Sequence, residues 1–200
     1  MNVYVESNFV LELALLQEQW KNCHSVLKLC AADRVHLVIP GYCLAEPYNA
    51  LVGRQKRRRK VREDVESELK QIARTEIYQD RLEGFRELTN FLIKSAEDED
   101  NRLLVECMGL LRSAEVISLD ASVLAASTEF RQQHGFSPQD AIVYASVLSH
   151  LQIRRVPVSC FLNRDKDFGD EDVVEELRSY GCELVQDFDA GHQFIVDNIG

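Results

Sequence analysis

Five short apolar runs constrain this chain more than any other feature: NVYV (Asn2–Val5), HLVI (His36–Ile39), VISL (Val116–Leu119), VSCFL (Val158–Leu162) and CELV (Cys182–Val185). Their length and β-branched content read as strands, and sequence with helical spacing separates each from the next. After the first run, Ser7 or Asn8 can cap a helix whose apolar residues are Phe9, Val10, Leu13, Leu15 and Leu16. After the second, Pro40-Gly41 closes the strand, and a helical pattern starts at about Leu44. Strands alternating with helices predict a parallel sheet covered by helices, an α/β fold.

The longest interval, roughly Tyr48 to Arg112, is built of strong helix formers, with no Pro and with Gly53, Gly84 and Gly109 as its breaks. It predicts two to four helices, with the EDED of Glu97 to Asp100 as an exposed turn. Two hundred residues at 46% hydrophobic content suffice for one core. With no internal repeat and no Gly/Ser/Pro linker, the expectation is a single domain over 1–200 carrying an extended helical segment at about 48–112.

A net charge of −10 argues against gripping nucleic acid by bulk charge. That sum conceals a local contrast. Arg54 to Arg62 reads RQKRRRKVR without an acid, whereas Asp165 to Asp189 is acid-rich. One region can hold phosphate while another holds cations. The six cysteines lie on apolar stretches and form no Cys-x-x-Cys pair, so they read as buried free thiols. The five histidines form no ligand pair at i, i+4, and neither a Walker loop nor a Gly-x-Ser-x-Gly elbow is present. No signal-peptide start and no apolar run of about 18 residues occurs, so a soluble, cytoplasmic protein is expected. Trp20, Phe85, Phe91 and Tyr144 sit at helical apolar spacing and are expected in the core.

In a parallel sheet, ligands bind outside the carboxyl ends of the strands. Glu6 directly follows the first strand, Asp165 comes three residues after Leu162, and Glu46 lies in the first turns of the helix after HLVIPG. Asp140 stands third after Ser137 in Ser-Pro-Gln-Asp, a good helix start, and taken alone is explained as a capping acid. Glu46 alone reads as a surface residue and Asp165 alone as a turn former. Jointly the four acids would form an oxygen-rich cluster, costly through mutual repulsion unless Mg²⁺ or Mn²⁺ occupies it.

At these residues the sequence resembles the PIN-domain ribonuclease family, known from the toxin half of bacterial toxin–antitoxin pairs and from RNA processing. The matching pieces are VYVESNFVLEL, IPGYCLAEPYNAL, SPQDAIVYASVL and CFLNRDKDFGD. The resemblance implies a three-layer fold with a central, mostly parallel sheet of about five strands. It also implies a metal-dependent nuclease in which Glu6, Glu46, Asp140 and Asp165 are catalytic and, with Asp167, hold Mg²⁺ or Mn²⁺; Asp170 is near enough to assist. Metal-activated water would attack the phosphodiester in line, leaving a 5′-phosphate and a 3′-hydroxyl. Glu6 stands where the family usually has Asp and is one methylene longer, and Asn163 replaces a customary Thr or Ser. The middle helical stretch is longer than in compact toxins. RNA is the implied substrate, and an antitoxin protein and a homodimer are the partners the family suggests. The basic run, with Arg57, Arg58 and Arg59 at its centre, is the candidate RNA contact, and it reads equally as a solvated helix face neutralising the neighbouring acids of REDVESELK. Two other readings stay open: a catalytically idle PIN-like domain that binds RNA or protein, and an unrelated α/β protein whose acids are caps and surface residues.

Overall fold

The computed structural model describes residues 1–81 and 83–199; residues 82 and 200, which the single-domain expectation includes, lie outside them. Five strands form one sheet: β1 (Asn2–Val5), β2 (His36–Pro40), β3 (Glu115–Ile117), β4 (Ser159–Leu162) and β5 (Cys182–Val185). Their order is β3-β2-β1-β4-β5, and every pairing is parallel. β1 pairs with β2 in the register Val3↔Leu37 and with β4 in the register Val5↔Leu162. Every residue of β1 and β4 is buried, which is why, after the polar Asn2 and Ser159 that open them, these runs are apolar on both faces rather than alternating.

Eight α-helices among the described residues flank the sheet: α1 (Ser7–Leu15), α2 (Trp20–Ala31), α3 (Tyr42–Ile72), α4 (Glu83–Ser113), α5 (Ala121–His134), α6 (Pro138–Ile153), α7 (Glu171–Ser179) and α8 (Phe188–Asn198). α6 lies against β2 and β3, α8 against β4 and β5, and α2 against β2 and α8. α6 is apolar nearly all round, with Ala141, Val143, Tyr144, Val147, Leu148 and Leu151 buried. α1 is tied to α8 by an edge-to-face contact of Phe9 with Phe188, at 5.6 Å between centroids.

The interval after β2 folds as two helices of 31 residues, α3 and α4, packed on each other. Each is about 46 Å long at 1.5 Å per residue, far longer than a strand of four or five residues, so their distal halves extend past the sheet. Three expectations are corrected here. Gly53 and Gly109 do not break helices, and EDED is not a turn but lies inside α4. Glu99 of that segment forms a two-point ion pair with Arg58 at 2.8 and 2.9 Å. Helix–helix packing offsets the roughly 1 kcal/mol that each interior glycine costs. Phe85 and Phe91 are 50% and 65% exposed rather than core, because they sit on the part of α4 beyond the sheet; Trp20 is half-buried and Tyr144 is fully buried. Cys23, Cys43, Cys107, Cys160 and Cys182 are buried and Cys30 is half-buried; all six are free thiols.

Among the described residues two glycines adopt the left-handed region, Gly135 after α5 (φ 71°) and Gly181 before β5 (φ 72°). A Cβ at Gly135 would meet open space, whereas one at Gly181 would lie 3.0 Å from the Pro157 carbonyl oxygen. Gly135→Ala should therefore cost only the left-handed penalty of about 1 kcal/mol, and Gly181→Ala distinctly more. Urea denaturation of the two variants measures the difference, and equal midpoints would contradict it.

Candidate metal centre

In an open parallel sheet the strand order 3-2-1-4-5 reverses between β1 and β4, and a crevice opens at the carboxyl ends of those two strands. Glu6 is the residue after β1, and Asn163 is the residue after β4. Both are buried there. Glu6 itself, not Ser7 or Asn8, caps α1: its Oε2 accepts the Asn8 backbone N–H at 2.7 Å. Its other oxygen, Oε1, has no hydrogen-bond partner among the described residues, and neither has the Asn163 amide through either Oδ1 or Nδ2. Three buried polar atoms left unpaired at the adjoining ends of β1 and β4 mark a place where a ligand or water completes the bonding.

The remaining acids arrive from three separate segments. Asp140 belongs to the first turn of α6, where Ser137 caps the helix: the Ser137 hydroxyl bonds Asp140 Oδ2 at 2.5 Å and accepts from the Asp140 N–H at 3.2 Å. The reciprocal cap expected from the sequence is thus present, and it does not exclude a second duty, because Asp140 Oδ1 is not used by it. Asp165 follows β4 and caps a short 3-10 turn (Lys166–Gly169) through its Oδ1, which accepts from the Asp167 N–H at 3.0 Å. Gln186 donates to the Asp165 carbonyl at 2.5 Å. Glu46, on the first turns of α3, accepts the Ser7 hydroxyl.

The structure brings Asp140, Asp165 and Asp167 together: one carboxylate oxygen of each lies within 4.8 Å of the others. Oxygens around a Mg²⁺ held at about 2.1 Å lie at most about 4.2 Å apart, so sub-ångström adjustments would close this set on an ion. The donors, all carboxylate oxygens, suit a hard divalent cation. Glu6 and Glu46 stand beside this triad rather than in it; Glu46 acts electrostatically on Glu6, and both Glu46 and Asp140 act on the Tyr42 phenol. Asp170 begins α7 without a side-chain cap and is not in the triad.

Crowding of acids is visible in their ionisation. Burial pushes the Asp140 carboxyl above its ordinary value, the Ser137 bond opposes this, and the nearby Asp165 and Asp167 add to it. Burial drives Glu6 further, up to about 8, against the lowering effect of the Asn8 and Arg164 N–H groups and with Glu46 reinforcing it. A cation would reverse the balance at both.

Two further residues support this site, and neither is among the acids expected from the sequence. Tyr42 sits four residues before Glu46, one turn away on the same helix face. Glu12 is 1% exposed and pairs with Arg164, the residue before Asp165, while also accepting the Gln19 N–H at 2.9 Å. A lone acid inside the apolar LELALL of α1 was the available signal, since buried charges are paired. The basic residues lie farther off. Arg57 is exposed, Arg58 is engaged with Glu99, and Arg59 lines a cleft between α3 and α4 with Glu97 and Asp100.

The sequence profile of the PIN domain matches residues 3–168. The chain belongs to the PIN domain family. The ends of β1 and β4 and the openings of α3 and α6 all fall within the matched span. A comparison with curated proteins finds no significant match. Among solved structures, the chain is similar to VapBC2 of Rickettsia felis, determined bound to a DNA fragment from its promoter, with 10% identity over 92% of this chain and 99% of that one. The TM-score of 0.46 is too low for that likeness to bear on function. No helix among the described residues is long and apolar enough to cross a membrane.

Because the folded Glu6 carboxyl binds its proton more tightly than an unfolded one near 4.5, its contribution to stability is complete below pH 4.5 and is lost as pH rises toward about 8. Glu6→Gln should therefore gain stability over the wild type across that window in the metal-free state. Denaturation midpoints at pH 5 and pH 8 test this, and a difference between the two proteins that does not change with pH would contradict it.

Proposed function

We propose that this PIN domain is a Mg²⁺- or Mn²⁺-dependent endoribonuclease whose ion is held by Asp140, Asp165 and Asp167, with Glu46 and Glu6 completing the acidic pocket. The observation that supports this most is the convergence of three carboxylates, one from the first turn of α6 and two from the loop after β4, within 4.8 Å of one another. Two of them have one oxygen fixed by a hydrogen bond and the other left for a ligand: Asp140 through Ser137, and Asp165 through the Asp167 N–H. A bound divalent ion would supply Lewis acidity toward the phosphoryl oxygen and acidify water.

The chain's own groups do the rest. Ser7 fixes Glu46 and the Arg164–Glu12 ion pair holds the start of the Asp165 loop against α1, so the pocket is set before substrate arrives. The unpaired Asn163 amide and Glu6 Oε1 offer a donor and an acceptor to an ordered water beside the triad. In the reaction the water oxygen bonds to phosphorus, the bond from phosphorus to the 3′-oxygen breaks, and that oxygen takes up a proton. The products are a 5′-phosphate and a 3′-hydroxyl. An antitoxin partner, a homodimer and a cytoplasmic location accompany this reading as features of the toxin branch of the family.

Asp140→Asn leaves the Ser137 cap in place and removes one of the three charges. Metal-dependent cleavage of labelled single-stranded RNA should fall at least about 100-fold in this variant, as expected for loss of a charged ligand to the ion that stabilises the transition state. Wild-type cleavage with Mn²⁺ or Mg²⁺ that stops in EDTA is the expected companion result. RNA binding without any cleavage would instead identify an idle member of the family, a reading favoured by the deep burial of Glu6.

A further inference from the structure

The basic run on α3 divides sharply once each cation is followed to its partner. Arg58 is bound to Glu99, Lys60 to Asp64 at 2.8 Å and Arg62 to Glu66 at 2.6 Å. Arg59 faces the α4 acids Glu97 and Asp100. Arg54, Lys56 and Arg57 remain, and none of them makes an ion pair with another described residue. These three are the cations closest to the acid pocket along the helix.

Their placement follows from helix geometry. Residues spaced i+3, i+4, i+7 and i+11 share a face, so Asn49, Ala50, Gly53 and Arg57 rise in line above Glu46, with Arg54 and Lys56 on either flank. The opposite side of the helix carries the buried Leu44, Pro47 and Leu51. On the Glu46 side, Asn49, Gly53, Lys56 and Arg57 are exposed and Ala50 is half-buried. A Cβ at Gly53 would meet nothing within 4 Å. Between the acids and the free cations the helix therefore presents small residues over an open surface. The positive stretch ends at Lys60, which Asp64 neutralises one turn further on.

We propose that this face of α3, from Asn49 to Arg57, is the track for the substrate strand: single-stranded RNA leaves the acidic pocket at Glu46 and its phosphates rest on Arg54, Lys56 and Arg57. The track takes its starting point from the nuclease reading above. Charge complementarity selects a polyanion, and the small residues let its backbone lie close to the helix. Glu46 and Arg57 are eleven residues, about 16 Å, apart along the helix. That distance spans about five nucleotides of a stacked strand at 3.4 Å each. Arg57 thus grips the strand several nucleotides away from the scissile bond, and oligonucleotides too short to reach it should bind no better to the wild type than to an Arg57 variant.

The test compares two pairs of substitutions that remove equal charge from one helix. Lys56→Ala with Arg57→Ala should lower the slope of log Kd against log salt by roughly 1.4, about 0.7 for each phosphate contact. Lys60→Ala with Arg62→Ala should leave the slope unchanged. The probe is a fluorescent 12-nucleotide single-stranded RNA in EDTA, and DNA of the same sequence should report the same loss because phosphate is the contact. Gly53→Glu should weaken binding severalfold without lowering the melting temperature, while Gly53→Lys tightens it. Equal slopes for both pairs, or binding indifferent to Gly53→Glu, would overturn the track. Since binding is read without turnover, binding that depends on Arg57 in a protein that cleaves no RNA would sink the nuclease reading and leave the track standing.

Discussion

Carboxylates repel one another, and what holds three of them together here is the burial of Phe168. It is the residue after Asp167, 1% exposed, and its ring packs against Phe136 at 5.5 Å, Phe161 at 5.3 Å and Tyr144 at 6.4 Å. Phe136 precedes the Ser137 cap of α6, Phe161 lies in β4 and Tyr144 is one turn beyond Asp140. One aromatic cluster thus ties the loop bearing Asp165 and Asp167 to the helix bearing Asp140. Aromatic contacts of this kind are each worth about 0.5–1.5 kcal/mol beyond the area they bury, enough together to oppose repulsion among partly solvated carboxylates.

The rest of the pocket depends on the sheet. Parallel pairing of β1 with β4 places Glu6 and Asn163 side by side at the strand ends, where the reversal of strand order leaves a crevice. Burial there has opposite consequences for the two groups of acids. Asp165 and Asp167 keep contact with solvent, while Glu6 loses its hydration and holds its proton. The pocket accordingly contains a carboxylate triad suited to a cation and a longer, buried carboxyl beside it that ionises with difficulty unless a cation is close.

Much of this was legible in the sequence. Strand positions could be read because both faces of β1 and β4 are buried, which makes their apolar runs continuous. The Ser137–Asp140 cap was readable because it depends on residues three apart. What the sequence concealed depends on long-range partners. EDED looked like a turn because the partner of Glu99, Arg58, is 41 residues away, and Phe91 looked like core because its helical spacing says nothing of where the sheet ends. Arg57, Arg58 and Arg59 were indistinguishable as letters, yet of the three only Arg57 lies on the Glu46 face and makes no ion pair with another described residue. The separation of Glu6 and Glu46 from the triad was likewise out of reach, since it depends on side-chain length and burial at a crevice formed by three elements.

As proposed, the carboxylates of Asp140, Asp165 and Asp167 form one divalent-cation site. Anomalous diffraction from crystals soaked in Mn²⁺ locates the ion directly. A single dominant peak within about 2.0–2.3 Å of oxygens from all three residues is expected. A strong peak elsewhere, with none at these residues under the same soak, would contradict it.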